Sequence, residues 1–343
     1  MQARAAWPFD VTGHGLGTVS RSIQQRVCVA PPSPSQLKHL QPSNAAGLAA
    51  TALATLITAG GITLGAQSNI GLWALGQGVL SLAFLQWFVL LHEAGHGTLF
   101  RTHGVNRWVG RLAGALALIP FEVWQRIHAR HHRYTGWQDL DATTALLVPR
   151  EVSRLERAAI NFAWWTGLPL FSVLYRLQNF WNVPRIARFL GHAKEARRAW
   201  ASVISLGLIL TGLVAFIGPL TLARVAGPGL LLSLAAQDLI LLSQHTHMPR
   251  HLSGGKKVRP FTPMEQEPFT RSLLLPGWLS TMLMHFDLHE LHHLYVRVPG
   301  YRLHRIAYEP ANQVGWVTWL RAAKRLSGVE FLFGNREQTG LKL

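Results

Sequence analysis

Two long stretches that are almost free of charge constrain the fold of this chain most. No Lys, Arg, Asp or Glu occurs between Lys38 and Glu93, and only Arg224 lies between Arg198 and Asp238. Charged residues make up 14% of the 343 residues. Ordinary soluble domains contain about 25% charged residues, so this composition favours a protein embedded in a bilayer.

Four apolar runs lie within or beside these stretches, at residues 45–66, 70–91, 199–222 and 230–243. About 20 apolar residues in a helix are enough to cross a hydrocarbon core about 30 Å thick. Short links at 67–69 and 227–229 separate the members of each pair. We therefore predict an all-α integral membrane protein with two transmembrane helical hairpins, turned at these links and joined to a cytoplasmic cap.

Two further apolar segments are harder to assign. Residues 112–121 are too few to cross a bilayer, so we expect an interfacial or re-entrant helix there. Residues 158–175 could cross by hydropathy, but Gly167 and Pro169 inside them favour a broken, interfacial or re-entrant element. Both flanks of 158–175 are rich in arginine, which the positive-inside rule assigns to the same side of the membrane.

Histidines recur in three short motifs, H-E-A-G-H at 92–96, H-A-R-H-H at 128–132 and H-E-L-H-H at 289–293. Residues at i, i+3 and i+4 share a helix face, so each motif can direct two or three imidazoles at one point. Neutral imidazole is a common ligand of Fe, Zn, Cu and Ni. The three motifs contain more histidines than one tetrahedral ion can bind, and this number therefore indicates two metal ions. The eight candidate ligands are His92, His96, His128, His131, His132, His289, His292 and His293.

Two other interpretations are weaker. The first motif also reads H-E-x-x-H, the pattern of zinc proteases, in which Glu93 would be the general base. An intramembrane metalloprotease would leave the other two motifs without a role. The net charge of +17 could indicate nucleic acid, but the basic residues cluster outside the apolar runs, as expected next to an anionic lipid surface. We expect no nucleic-acid partner.

The order HxxxH, HxxHH, HxxHH resembles the membrane fatty acid desaturase superfamily, which also contains carotenoid hydroxylases and ketolases. The resemblance is carried by residues 92–100, 126–139, 244–247 and 289–295, and it extends over roughly residues 45–310. It implies a non-haem centre of two iron ions that activates O2, and an oxygen-dependent fatty acyl desaturase. The residues around the second and third motifs look more like acyl-lipid desaturases than carotenoid oxygenases. A carotenoid or lipid hydroxylase or ketolase is the alternative.

The resemblance also suggests a ninth ligand in Gln244-His245-Thr246-His247, where relatives place an extra His or Asn. His245 is the predicted ligand and His247 the alternative. A carboxylate of Asp139 or Asp141 could hold a ligand imidazole by its other ring nitrogen. His285, Glu93 and Glu290 are not expected to bind metal.

The implied reaction needs two electrons from outside. The chain has no HPGG haem-binding motif, and Cys28, its single cysteine, cannot hold an iron–sulfur cluster alone. We therefore expect a separate donor of the ferredoxin or cytochrome b5 type at the basic cytoplasmic face. The distribution of Lys and Arg predicts that both termini and all three histidine motifs lie in the cytoplasm. The predicted division is a lead-in at 1–42, a membrane desaturase-like domain at 43–310 and a cytoplasmic tail at 311–343.

Overall fold

The computed structural model describes residues 30–33 and 35–343. Most of the predicted lead-in, with Cys28, lies outside the described residues. The α-helices are α1 (Asn44–Gly65), α2 (Ile70–His96), α3 (His103–Leu116), α4 (Phe121–Tyr134), α5 (Arg154–Thr166), α6 (Leu170–Arg176), α7 (Val183–Leu190), α8 (Ala193–Ile217), α9 (Pro219–His245), α10 (Gly277–Met282), α11 (His289–Leu294), α12 (Gly300–Leu303), α13 (Trp316–Ala323), α14 (Gly328–Phe333) and α15 (Arg336–Thr339). The strands are β1 (Ser272–Leu274) and β2 (Gln313–Gly315). Ala145–Leu147 and Met264–Phe269 form 3-10 turns, and Leu177–Trp181 forms a π-helical turn.

Four helices of the described chain, α1, α2, α8 and α9, are long and apolar enough to cross a membrane. The first two begin at side-chain caps, since Ser43 accepts from the α1 backbone and Asn69 from the α2 backbone. A Cβ at Gly76 would lie 2.4 Å from the backbone nitrogen of Gly65, so glycine permits the close approach of α1 and α2.

The turn that we expected at 227–229 lies elsewhere. The chain turns at Gly218, whose φ of 89° is left-handed, and Pro228 lies inside α9. Proline has no N–H, so the carbonyl of Arg224, four residues earlier, loses its partner within the helix. The indole of Trp73 on α2 donates to that carbonyl at 2.9 Å.

Gln77 on α2 supports the same turn of α9. Its Nε2 donates to the carbonyl of Val225 at 2.9 Å, and its Oε1 accepts from the N–H of Gly229 at 2.9 Å. Polar groups freed in an apolar environment must find partners elsewhere in the protein. The Gly-Pro-Gly sequence is therefore helical because a neighbouring helix supplies those partners, which local sequence does not reveal.

The segment 112–121 is not one helix, contrary to expectation. α3 begins earlier, at His103, and ends at Leu116, while α4 begins at Phe121 after Pro120. Leu118, in the link between them, has a φ of 57°. Proline at the start of a helix is well tolerated because the first N–H groups have no helical partner. The break turns α4 back and lets it carry the second histidine motif.

The segment 158–175 is broken where expected. α5 ends at Thr166, Gly167 adopts a φ of 75°, and α6 begins after Pro169. The 13 residues of α5 extend about 20 Å at 1.5 Å per residue, less than a hydrocarbon core. Its position relative to the membrane stays a prediction.

The fold is mostly helical but not purely so, because β1 and β2 pair in parallel. Residues 311–343, which we expected as a tail, form β2 and α13–α15. Trp164 of α5 donates to the carbonyl of Leu326 at 3.1 Å and stacks on Phe331 of α14. The small sheet therefore connects this C-terminal segment to the region just before the third histidine motif.

Candidate metal centre

Nine histidines form two adjacent groups, and in each group the ligand atoms lie within 4.8 Å of one another. The five-histidine group contains His92, His96, His128, His132 and His292. The four-histidine group contains His131, His245, His289 and His293. Rings of His132 and His293, one from each group, lie 4.3 Å apart between centroids. The structure thus brings together all nine residues named from the sequence.

Helix periodicity explains how the motifs are divided between the groups. On α4, His128 and His132 are four residues apart and share the five-histidine group, while His131 faces the other group. On α11 the division is reversed, since His289 and His293 share the four-histidine group and His292 faces the five-histidine group. Each HxxHH motif therefore contributes to both groups.

The nitrogen positions fit metal ions. Nε2 of His132 lies 3.1 Å from Nε2 of His128 and 3.0 Å from that of His292. In the other group, Nε2 of His289 lies 2.8 Å from that of His245 and 3.1 Å from that of His293. Two nitrogens about 2.1 Å from one ion and at a right angle would be about 3.0 Å apart.

Among the described residues, three of the nine imidazoles have a buried nitrogen without a protein partner, and in His289 that nitrogen is Nδ1. Nε2 of His92 and Nε2 of His96 are both enclosed and unbonded. A buried polar atom without a partner is costly unless a ligand satisfies it. The donor set, composed of imidazole nitrogen only, suits iron, zinc, copper or nickel.

Several imidazoles are held from behind through Nδ1. His131 Nδ1 donates to Asp141 Oδ2 at 2.7 Å, and His245 Nδ1 donates to the carbonyl of Phe269 at 3.1 Å. His293 Nδ1 donates to Gln266 Oε1 at 3.0 Å. Such contacts place the proton on Nδ1 and leave Nε2 free to bind an ion.

The electrostatics of the site favour neutral imidazoles. Burial and then the neighbouring imidazoles hold the pKa of each of five of them well below the ordinary value, namely His128, His132, His289, His292 and His293. Asp141 differs. Burial alone would raise its pKa, but the charge of His131 and hydrogen bonds from His131 and Thr143 outweigh it and lower the pKa to about 2. Asp141 is therefore a carboxylate at neutral pH.

The other histidines that we considered lie outside both groups. His247 has a φ of 61°, and its Nε2 bonds to Thr339 at 2.8 Å. His285 contacts Ser280 and lies against His304, with ring centroids 4.4 Å apart. Asp139 accepts from the backbone N–H of Ser253 at 2.9 Å instead of from an imidazole.

The glutamates inside the motifs have structural partners. Glu93 accepts from the N–H of Gly300 at 2.9 Å and from Thr98 Oγ1 at 2.8 Å, while its Oε1 lies 3.2 Å from His92 Nδ1. It sits behind His92, away from the nitrogens that face the group, which disfavours a general base. Glu290 accepts from the N–H groups of Ser272 and Asn312.

Three supporting residues were not predicted from the sequence. Gln266 bonds to His293 and also donates to the carbonyl of His132 at 2.7 Å. Phe269 acts through its carbonyl, and Trp124 stacks on His128 with centroids 4.3 Å apart. Gln266 and Phe269 lie in an irregular segment without periodicity. Trp124 precedes His128 by one helical turn, so the i, i+4 rule could have found it.

A cavity of about 80 Å³ adjoins both groups. Its wall is mainly apolar and is formed by α2, α4, α6, α9, residues 143–147 and the segment before α11. The apolar lining includes Phe88, Phe171, Tyr175, Leu241, Leu242 and Phe286, and the histidine lining includes His92, His128, His131, His245 and His289. This apolar lining suits an apolar part of a ligand that lies against the histidines.

Comparison with known proteins shows which protein family this chain resembles. A family model described as fatty acid desaturase matches residues 70–319. A probable fatty acid desaturase DES1 of Sorghum bicolor is 26% identical over 262 residues, which are 72% of this chain and 65% of that protein. An sn-1 oleoyl-lipid 12-desaturase of Picosynechococcus is 27% identical over 69% of this chain and 68% of its own.

A chloroplastic sn-2 acyl-lipid omega-3 desaturase (ferredoxin) of Helianthus annuus is 22% identical over 69% of this chain and 55% of its own. The alignments thus cover less than two thirds of the Sorghum protein and just over half of the Helianthus protein.

Proposed function

Because the chain belongs to the fatty acid desaturase family, we propose that it is an oxygen-dependent desaturase of fatty acyl chains that uses two iron ions. The observation that supports this most is the convergence of nine imidazoles into two adjacent groups. In this proposal each group holds one iron ion, with His245 as the ninth ligand. The metalloprotease alternative is disfavoured because Glu93 is engaged with Gly300 and Thr98.

The proposed reaction converts a saturated carbon–carbon bond into a double bond. The acyl chain loses two hydrogen atoms, and O2 accepts these together with two electrons and two protons to give two water molecules. An iron pair, when bound, would supply the oxidising power for C–H cleavage, which side chains lack. The electrons require an external donor, and the Helianthus relative is described as a ferredoxin-dependent desaturase, which supports a donor of this type.

The chain's own residues hold and position the reactants. Phe88, Phe286 and Leu241 line the cavity beside the imidazoles and would exclude water while an acyl chain is bound. In this proposal the cavity wall restricts which methylene pair reaches the histidines, because a misplacement of about 1 Å can cost about 10²-fold in rate. Asp141 and Gln266 fix the imidazoles of His131 and His293, so the ligand nitrogens stay in place.

Fatty acid analysis tests this function. The chain is expressed in a host that lacks carotenoids, beside a His132→Ala variant. We expect a new unsaturated fatty acid with the unaltered chain only. An unchanged fatty acid profile, with an oxygenated product once carotenoid is supplied, would favour a carotenoid hydroxylase or ketolase.

We also propose that the histidine motifs and both termini lie in the cytoplasm, with the links at 67–69 and at Gly218 on the far side. Single cysteines replace exposed residues in a background that lacks Cys28, and a membrane-impermeant thiol reagent is applied to sealed vesicles. We expect Arg188→Cys to be labelled from the same side as His103→Cys, and Ser68→Cys from the opposite side. Labelling of Arg188→Cys together with Ser68→Cys would mean that residues 158–175 cross the membrane.

A further inference from the structure

Residues 249–269, between α9 and β1, form a covering segment that lies against the metal groups. This covering segment contacts both groups, because Gln266 bonds to His132 and His293 and the carbonyl of Phe269 bonds to His245. Nothing in the desaturation chemistry described above uses the rest of the segment.

An aromatic column runs through the covering segment towards His245. The rings of Trp137 and Phe261 stack with centroids 5.4 Å apart and an interplanar angle of 8°. Phe261 then stacks on Phe269 with centroids 5.1 Å apart and an angle of 26°. Trp137 and Phe261 are half-buried at the surface, Phe269 is buried, and the Phe269 carbonyl accepts from His245 Nδ1.

The backbone is shaped to hold this column. Gly136 has a φ of 94°, and a Cβ there would lie 2.6 Å from the Phe269 ring and 2.8 Å from the Phe261 ring. Trp137 and His251 form a parallel β-bridge, in which the backbone of His251 bonds to that of Gly136 and of Gln138. The chain after the second histidine motif is thereby fixed to the covering segment.

Cationic side chains occur in the covering segment just before Phe261, the middle ring of the column. Lys256 and Lys257 are exposed, and among the described residues no carboxylate lies within ion-pair distance of either. Arg259 is exposed too and pairs with Glu265, while its carbonyl accepts from the Trp137 indole at 3.1 Å. The covering segment therefore carries unpaired positive charge close in sequence to the half-buried ring of Phe261.

We propose that this surface docks an acidic one-electron carrier protein and that electrons reach His245 through Trp137, Phe261 and Phe269. The proposal rests on the proposed function, which requires two external electrons. Two reduced carriers would each give up one electron, and the histidines of the two groups would hold the two iron ions that take up these electrons. Positive charge attracts an acidic carrier and orients it, and continuously packed rings give a short path inward. An anionic membrane surface would account for the lysines but not for the column.

Carrier binding tests the docking surface. The protein is reconstituted in nanodiscs of zwitterionic lipid, and the affinity for a plant-type [2Fe–2S] ferredoxin is measured over a range of salt concentrations. We expect Lys256→Glu/Lys257→Glu to weaken binding about 10-fold or more at low salt and to flatten its salt dependence. The matched control, Lys194→Glu/Arg197→Glu at the exposed start of α8, should bind as the unaltered protein does.

Equal affinity for the unaltered and lysine variants would overturn the docking surface, and so would equal weakening in both charge-reversal pairs. Normal carrier affinity with a loss of activity only in anionic nanodiscs would assign the lysines to lipid headgroups instead.

Electron transfer tests the column. Ferredoxin reoxidation at saturating ferredoxin is expected to slow severalfold in Trp137→Leu and in Phe261→Leu, with unchanged affinity and iron content. Reduction by dithionite with methyl viologen, which needs no docking, should stay normal, and Trp137→Phe should retain most of the rate. An unchanged ferredoxin rate, or an equal loss with dithionite, would contradict the route. These readouts need no lipid substrate, so a product other than an unsaturated fatty acid would refute only the proposed function.

Discussion

Replacement of His131 by alanine is expected to abolish turnover and to lower the iron content of the purified protein. His131 is one of four imidazoles in its group, and Asp141 fixes its orientation. Loss of a partner behind a ligand typically costs about 10–100-fold in metal affinity or activity, so loss of the ligand itself should exceed about 100-fold. The helix should survive, because buried Trp124 and Ile127 anchor α4 in the core.

Iron per chain and product formation are measured together for this variant. The control is His247→Gly, which removes a buried imidazole outside both groups and suits the φ of 61° at that position. We expect the control to keep its iron and its activity. Turnover that survives His131→Ala, or is lost only in His247→Gly, would contradict the two-group assignment.

Asp141→Asn is expected to reduce iron affinity about 10–100-fold while the fold persists. The amide keeps the shape of the carboxylate but carries no charge, so it holds the His131 Nδ1 proton less strongly. Because the pKa of Asp141 is lowered to about 2, its contribution is complete above the unfolded pKa of about 3.9 and is lost only as the pH falls through 2. The factor by which Asp141→Asn lowers the iron affinity should therefore stay constant between pH 6 and pH 8.

Competition with an iron chelator at several pH values measures this effect. Asp139→Asn is the matched control, since Asp139 lies two residues away on the same loop and bonds to Ser253. Equal iron affinity in the unaltered protein and Asp141→Asn would show that the carboxylate does not support His131. A deficit that disappears between pH 6 and pH 8 would mean that another group titrates at the site.

Much of the site follows from helix periodicity. The spacing of His128 and His132 places both on one face, and the order of the motifs brings in the family. Spacing alone does not show that His131 faces the other group, because i+3 and i+4 positions both neighbour i on a helix. Gln266 and Phe269 could not be predicted, since their roles depend on tertiary contacts of an irregular segment.

The long helices of the fold could also be predicted from the sequence, but some turns and helix ends could not. Apolar length identified the long helices, because crossing a bilayer requires it. The prediction of a turn at 227–229 was wrong, because Trp73 and Gln77 of α2 supply hydrogen-bond partners for the backbone groups that Pro228 leaves unpaired in the helix. The start of α3 was predicted too late in the chain, because this helix has polar residues on one side and extends back to His103.

The division of each HxxHH motif between the two groups couples their occupancy. α4 and α11 each carry ligands for both groups, so an ion bound in one group would further restrain the side chains that these helices present to the other. The second ion would then meet ligands with less rotational freedom left to lose, which is a source of positive cooperativity. Chains with a single ion should accordingly be scarce, and the protein would change from empty to fully loaded almost as one step.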